Sequence, residues 1–185
     1  MNLIGKTCEV CKEGTYAERS IHDDWDGKLT CDKCNHRIDN RPNKIKAMKF
    51  TPENIRHLEP NQIFCYGANE KFYHGAGAAK LALKWGARHG IAGLVGQTYG
   101  IPTKDRNIRT LPLDKIQVHV DTFLATAFSH PEYEFLVTKI GTGLAGIPIS
   151  DIAPLFKIIK TGVFENVILP EEFYRYIYDE QARKS

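Results

Sequence analysis

Four of the five cysteines lie within the first 34 residues, as two pairs whose members are separated by two residues. The pairs are Cys8 with Cys11 and Cys31 with Cys34. This spacing lets both sulfurs of a pair face one metal ion, and two such pairs complete a tetrahedral site of four thiolates. Such a site has no open coordination position. The sequence therefore predicts a structural Zn²⁺ held by a small zinc ribbon over residues 1–45.

Disulfides and redox-active CxxC pairs are the alternatives to zinc. The first residues show no secretory signal, so we expect a soluble cytoplasmic protein, and disulfides are disfavoured in a reducing cytosol. A redox CxxC normally opens a helix after a strand, a pattern that this segment lacks. Between the two pairs, strands at residues 16–21 and 28–30 around the turn DDWDG predict a hairpin. So small a unit buries little core, and the metal would supply much of its folding energy.

Two glycine-rich turns form a second candidate site. In HGAGAAK, Gly75 and Gly77 stand where a turn enters a predicted helix, and free N–H groups with the helix dipole favour phosphate there. The segment GTGLAG at residues 141–146 follows a predicted strand and has the same character. Taken singly, these glycines also fit tight packing of a helix on a strand. Two facing turns of this kind predict a ligand with a diphosphate.

Residues 50–185 alternate between strand and helix patterns. Strands are predicted at 62–66, within 96–103, at 134–140 and at 166–169; helices are predicted at 78–85, 113–129, 150–159 and about 171–182. The long helix carries an apolar stripe of Leu113, Ile116, Val120, Phe123, Leu124, Ala127 and Phe128. This alternation predicts an α/β fold with a mostly parallel sheet covered on both faces. Ligands bind such sheets beyond the carboxyl ends of the strands, so three strand exits should meet on one rim.

The three exits supply the predicted ligand-binding residues. These are Gly67, Ala68, Asn69, His74, Gly75, Ala76, Gly77, Thr103, Lys104, Gly141, Thr142, Gly143, Leu144, Ala145 and Gly146. Asn69 could reach a ribose hydroxyl and His74 a phosphate; alternatively, Asn69 serves its turn and His74 faces solvent. If the protein hydrolyses its ligand, Asn69 and Asp105 are the predicted catalytic residues. Tyr73 and Tyr99 would either stack on the ligand or pack in the core, and Cys65 is expected to be buried and inert.

Composition and charge exclude several classes of protein. With 42% hydrophobic and 25% charged residues, the chain is not wholly disordered, and no apolar run approaches the roughly 20 residues of a membrane span. The net charge of +3 falls to about +1 with four thiolates around one Zn²⁺, so bulk charge argues little for nucleic acid. Nucleic-acid binding by the ribbon remains an alternative because of a local basic stretch comprising Arg37, Arg41, Lys44, Lys46 and Lys49. The helix-opening GAG is not a full GxGxxG fingerprint, so a nicotinamide-dependent dehydrogenase is poorly supported.

Two segments resemble the ligand loops of macrodomains. GANEKFYHGAGAAKLAL (67–83) resembles the first loop, in which an Ala-Asn pair precedes a glycine-rich helix start, and IGTGLAGIPISDIAPLF (140–156) resembles the second, diphosphate-embracing loop. The sequence between them is similar to a macrodomain-like group of bacterial and phage proteins. The resemblance implies a three-layer α/β/α domain over residues 50–185 that binds ADP-ribose or a related nucleotide. The chain has Gly-Ala-Gly where macrodomains usually have three glycines, and their upstream Gly-Asp-Ile signature is not evident.

Three functional hypotheses follow from these patterns. The first is a module that binds ADP-ribose or a related nucleotide diphosphate, with hydrolysis of an ADP-ribose linkage as its enzymatic form. The second is a reader or sequestering protein that holds a nucleotide signal without turnover. The third, ranked lowest because the charge is small, is a nucleic-acid-binding protein that uses its zinc ribbon.

Overall fold

The computed structural model describes Thr7, Lys12, residues 16–18, 28–31 and 37–39, and residues 49–178. The chain divides into two compact units, Met1–Met48 and Lys49–Ser185. In the described part, no helix is both long and apolar enough to cross a membrane.

The first unit contains a three-stranded antiparallel sheet in which β1 (Tyr16–Glu18), β2 (Lys28–Cys31) and β3 (Arg37–Asp39) are adjacent in chain order. The antiparallel pairing of β1 with β2 confirms the predicted hairpin, while β3 was not predicted. Cys31 is the last residue of β2. The other three predicted zinc ligands, Cys8, Cys11 and Cys34, lie outside the described residues.

The second unit is built on a five-stranded sheet in the order β5-β6-β4-β7-β8. Its strands are β4 (Gln62–Asn69), β5 (Leu94–Val95), β6 (Thr98–Lys104), β7 (Glu134–Val137) and β8 (Val167–Ile168). Every neighbouring pair is parallel except β5 with β6. The predicted α/β class with a mostly parallel sheet is therefore confirmed.

Helices cover both faces of this sheet. They are α1 (Gly77–Ala82), which continues as a 3₁₀ turn over Leu83–Trp85, α2 (Leu113–Ser129), α3 (Ile149–Ile152), which continues as a 3₁₀ segment over Ala153–Thr161, and α4 (Glu171–Tyr178). Because successive strand residues face opposite sides, Ile63 and Cys65 join a core with α2 and α4, whereas Phe64 and Tyr66 join a second core with α1.

Several predicted boundaries differ from the structure for local reasons. β4 runs to Asn69 because its pairing with β6 continues past the glycine, to Lys104. β7 ends at Val137 rather than residue 140, since the chain turns tightly where the Ile140 N–H bonds the Thr138 carbonyl. The helix predicted over 150–159 is α-helical only to Ile152, and Pro154 lies at the start of the 3₁₀ segment that follows.

The predicted bounds of α2 are confirmed, but its apolar stripe is narrower than predicted. Ile116, Val120 and Phe123 are fully buried. Leu113 and Phe128, which the pattern assigned to the stripe, are exposed at the two ends of the helix. Ala127, the neighbour of Phe128, is fully buried, so the buried face of the helix still reaches its last turn and Phe128 lies outside that face. The expected burial of Cys65 is confirmed, and that burial raises the pKa of its thiol.

Candidate functional site

A cavity of about 430 Å³ lies at the carboxyl ends of β4, β6 and β7. Twelve of the residues that line it were predicted from the sequence: Gly67, Ala68, Asn69, Gly75, Ala76, Gly77, Thr103, Lys104, Gly141, Gly143, Leu144 and Ala145. The three strand exits therefore do converge. The remaining lining residues are Tyr73, Ala78, Ala79, Ile108, Thr138, Lys139 and Ile140. Of these, only Tyr73 was considered from the sequence.

The side chain of Asn69 closes the loop that follows β4. Its Oδ1 accepts the backbone N–H groups of Lys71 and Tyr73 at 3.1 and 3.2 Å, and its Nδ2 donates to the Tyr73 carbonyl at 2.8 Å. A carboxamide has two donor hydrogens and two acceptor positions, so one N–H of Asn69 is left for another partner. Asn69 thus serves its turn, as one of the two alternatives predicted, and it also lines the cavity; its contact with a ribose hydroxyl stays a prediction.

His74 is turned away from the cavity and is only 3% exposed. Its Nε2 lies 2.6 Å from the Tyr66 hydroxyl, and its backbone N–H donates to Nδ1 of His89 at 3.2 Å. Because Nδ1 of His89 accepts that hydrogen bond, it has no proton to donate. The Nδ1 of His74, 3.4 Å from it, is therefore the donor between the two rings. The Nε2 of His74 is then the unprotonated nitrogen, and the Tyr66 hydroxyl donates to it. The alternative that His74 faces solvent is therefore wrong, and its contact with a phosphate stays a prediction.

The protonation states of this cluster fit its hydrogen bonds. Burial first, and the neighbouring His89 second, lower the pKa of His74, so its ring is held neutral. Burial raises the pKa of Tyr66 to about 12, so its hydroxyl keeps the proton that it donates. His74 and Tyr66 are therefore neutral, and their hydrogen bonds support the loop of residues 69–77.

The glycines of the two turns differ in what their backbones require. Gly77 and Gly141 have φ angles of +56° and +76°, in the left-handed region. A Cβ on Gly141 would lie 3.1 Å from Ile147 and 3.3 Å from Ile152, so this glycine is needed for packing. Gly143 has neither constraint: its φ is not positive, and an added Cβ would meet nothing within 4 Å. Gly143 alone of these three has no local structural reason to be glycine.

The two turns face each other across the cavity. A Cβ on Gly77 would be 3.8 Å from the Cδ1 of Leu144. Helix α1, which begins at Gly77, has only six residues, so its dipole is weaker than the sequence pattern implied. Phosphate binding at these turns stays a prediction.

Three predicted residues are near the cavity without lining it. The Oδ1 of Asp105 accepts the backbone N–H groups of Asn107 and Arg109 at 2.7 and 2.8 Å. The Thr142 hydroxyl donates to the Lys139 carbonyl at 2.9 Å, and the Gly146 N–H bonds the Gly143 carbonyl at 2.9 Å. All three stabilise the turns from which other residues reach the cavity.

The charges around the cavity are unequal. Lys139 is bonded to Glu172 at 2.6 Å and to Glu53 at 3.1 Å, and these hydrogen bonds raise its pKa. Lys104 forms no ion pair with any residue of the described part of the chain. No carboxylate is among the described lining residues. Among the described residues, the cavity therefore offers one uncompensated cation and no anion.

A second cavity, of about 580 Å³, lies against β6 and α2. Of the residues considered for ligand contact from the sequence, only Tyr99 lines it, and Tyr99 is buried in the core. Glu70 and Arg106, which also line this cavity, are of opposite charge. The hydroxyls of Thr122 and Thr126 in its wall donate to carbonyls of their own helix. The cavity at the strand exits is the better candidate despite its smaller volume, because its charge is one-sided and three loops converge on it.

Comparison of the chain with protein families, with curated proteins and with solved structures found no match.

Proposed function

We propose that the cavity at the strand exits binds a nucleotide diphosphate of the ADP-ribose type. The observation that carries this proposal is the meeting of three strand exits at a cavity with one unpaired lysine and no carboxylate among its described lining residues. A cavity wall of this kind favours an anionic ligand. We also propose that the unit of residues 49–185 is macrodomain-like, as the resemblance of its two ligand loops implies.

The dimensions and wall of the cavity suit an organic phosphate. Its volume of about 430 Å³ is within the roughly 300–1,000 Å³ of small-molecule sites. Its wall is largely alanine, glycine and aliphatic side chains, with few polar groups to orient a ligand. Glycine at position 143 lets a ligand approach the backbone closely, and no described neighbour requires a glycine there.

The described groups support binding more than hydrolysis. A hydrolase needs a group that takes a proton from water, and this wall has no described carboxylate to do so. Asn69 has a spare donor but no basic atom, and the Asp105 carboxylate is engaged by two backbone N–H groups. A reader or sequestering protein is therefore the form of the proposal that the site favours.

Calorimetric titration of the full chain with ADP-ribose, followed by chromatography of the recovered ligand, tests the proposal. We expect binding with a one-to-one stoichiometry and unchanged ligand. Lys104→Met should weaken binding about 10- to 100-fold, because a hydrogen bond to a charged group contributes about 1.5–3 kcal/mol. Lys139→Met is the matched control and should bind almost normally, since Lys139 is already paired with two acids.

Two results would contradict this proposal. Absence of binding by the folded wild-type protein would mean that the cavity has another ligand. Equal losses in the two lysine variants would mean that the charge difference between them does not govern recognition. A third result would change the form of the proposal: release of ADP-ribose from an ADP-ribosylated peptide would replace the reader with a hydrolase, because free ADP-ribose is the product of that reaction.

We further propose that the N-terminal unit binds one structural Zn²⁺ through Cys8, Cys11, Cys31 and Cys34, on the strength of their spacing. Elemental analysis of the purified chain should find one equivalent of zinc. Cys8→Ser should remove it, whereas Cys65→Ala should retain it because Cys65 is buried in β4. Zinc lost equally from both variants, or absent from the wild type, would contradict the ribbon.

Nucleic-acid binding has less support from the described residues. Of the basic stretch that motivated it, Lys49 pairs with Glu134 at 2.7 Å and is not a free cation. Affinity for DNA or RNA that falls steeply with salt would restore this alternative.

A further inference from the structure

The cavity has an unusual residue in its wall, Ile108. Its φ of +66° is in the left-handed region, which a β-branched side chain rarely adopts. In the described residues of the second unit, only Phe72 shares this feature among non-glycine residues. Such strain persists only where the surroundings enforce it, and it is concentrated at functional sites.

The surroundings of Ile108 do enforce this conformation. The Ile108 N–H bonds the Asp105 carbonyl at 3.1 Å, and the Asp105 N–H bonds the Arg109 carbonyl at 2.8 Å. The Asp105 carboxylate holds the N–H groups on either side of Ile108, those of Asn107 and Arg109. Four hydrogen bonds thus fix a turn of five residues, and Asp105 takes part in all of them.

A fifth bond joins this turn to the opposite loop. The Thr110 hydroxyl donates to the Ala145 carbonyl at 2.8 Å, which ties the exit of β6 to the exit of β7. Ile108 and Leu144, the neighbour of Ala145, both line the cavity, and they are 51% and 74% exposed. Two large aliphatic side chains are therefore exposed to solvent at the edge of a site in which Lys104 is the lining lysine without an ion pair to a described residue.

Exposed aliphatic groups at the cavity contribute favourable free energy to binding only when a ligand covers them. A bare phosphate or pyrophosphate would bond Lys104 and leave these side chains in water. A ligand that also has a sugar or base ring would bury them, at about 25 cal/mol per Å² of apolar surface. The strained turn is what keeps one of these two side chains in the cavity wall.

We propose that Ile108 is the specificity-determining residue of this cavity and that it selects ligands with an uncharged ring beside their phosphates. Asp105 is then a positioning residue, which holds Ile108 in place through its turn. This inference rests on the proposed function and specifies the part of the ligand that Lys104 does not recognise. Nucleoside and sugar diphosphates fit this description, and inorganic pyrophosphate does not.

The test compares ADP-ribose with inorganic pyrophosphate in calorimetric titrations of the full chain. The wild type should prefer ADP-ribose, and Ile108→Gly should weaken ADP-ribose binding about tenfold while leaving pyrophosphate binding unchanged. Because glycine adopts the left-handed region freely, this variant should unfold at no lower temperature than the wild type. Val118→Ala, which shortens an exposed aliphatic side chain on α2 away from the cavity, is the control and should match the wild type with both ligands.

The outcomes separate this inference from the proposed function. ADP-ribose binding that is unchanged in Ile108→Gly overturns the inference and leaves the proposed function standing. Equal weakening of both ligands also overturns it, because the turn would then serve the phosphates. A wild-type protein that binds neither ligand overturns the proposed function itself, and the inference with it.

Discussion

The exits of β6 and β7 border the same cavity, yet they are stabilised in opposite ways. After β7, Lys139 is paired with two acids, and Gly141 packs against the core residues Ile147 and Ile152. After β6, Lys104 has no acidic partner in the described part of the chain, and the strained Ile108 stands half in solvent. After β7, Lys139 and Gly141 are satisfied within the protein, whereas after β6, Lys104 and Ile108 leave a charge and an apolar surface available to a ligand.

This difference indicates that some residues at the exits contribute to stability and others to ligand binding. A paired lysine and a packed glycine contribute to stability, and a ligand gains little from either. An unpaired lysine and an exposed aliphatic side chain contribute little to stability, and both can contribute to binding. We therefore expect substitutions of Lys139 and Gly141 to change mainly the free energy of unfolding and substitutions of Lys104 and Ile108 to change mainly ligand affinity.

The largest expected effect is that of Gly141→Ala. Its left-handed φ and the short approaches to Ile147 and Ile152 should together lower the free energy of unfolding by about 2–4 kcal/mol. Gly143→Ala, two residues away, should change that free energy by less than about 0.5 kcal/mol, because nothing lies within 4 Å of the new Cβ. Urea unfolding of both variants measures the difference.

Titration with ADP-ribose distinguishes Gly141→Ala from Gly143→Ala in a second way. Gly143 lines the cavity, so Gly143→Ala should weaken ADP-ribose binding although its stability is nearly normal. If Gly141→Ala and Gly143→Ala had the same free energy of unfolding, the distinction between a packed and an open glycine would be wrong. Normal binding by Gly143→Ala would argue against close approach of the ligand to this turn.

The next effect concerns Asp105, for which sequence and structure indicate different roles. Asp105→Ala removes the acceptor of two backbone hydrogen bonds and should lower the free energy of unfolding by about 1–2 kcal/mol. Asp105→Asn keeps an acceptor oxygen and should retain most of the stability and the ADP-ribose affinity. Denaturant unfolding and calorimetry of the two variants test this. If Asp105→Asn abolished a measured turnover and preserved ADP-ribose binding, that result would instead support the predicted catalytic role of Asp105.

Much of the fold could be predicted from the sequence because it depends on local patterns. The 3.6-residue period of α2 gave its bounds at Leu113 and Ser129, and the glycines and apolar runs located the strands. The meeting of three exits followed from a general property of parallel sheets. That rule needs no knowledge of individual side chains, which is why twelve of the predicted residues do line the cavity.

The errors share a different cause, which is contact between residues far apart in sequence. His74 is buried because its ring meets Tyr66 in β4 and His89, which is fifteen residues further along the chain. Lys139, a lining residue that was not predicted, is paired with Glu172 and with Glu53, which is 86 residues away. No local pattern contains these contacts. Ile108 is the exception: its turn is local, but its left-handed φ is one that a β-branched side chain argues against.

The smallest expected effect is the pH dependence that the Lys139–Glu172 pair adds to stability. The hydrogen bond from Lys139 is the main cause that lowers the pKa of Glu172, so the pair stabilises the fold above the carboxyl's unfolded pKa. That contribution is lost as the pH falls through the lowered, folded pKa. Both side chains are more than a third exposed, at 35% and 46%, so the contribution is about 0.5 kcal/mol or less.

Glu172→Gln isolates this contribution from the rest of the acid denaturation. The variant should be slightly less stable than the wild type at pH 7, and the two should converge as the pH falls below the folded pKa of Glu172. Urea unfolding at a series of pH values measures that convergence. If the two free energies of unfolding differed by the same amount at every pH, the charge of the Glu172 carboxylate would not be the source of the stabilisation. Because Lys104 has no described acid to lose, the same pH series on Lys104→Met should parallel the wild type, and a convergence there would erase the contrast between the two exits.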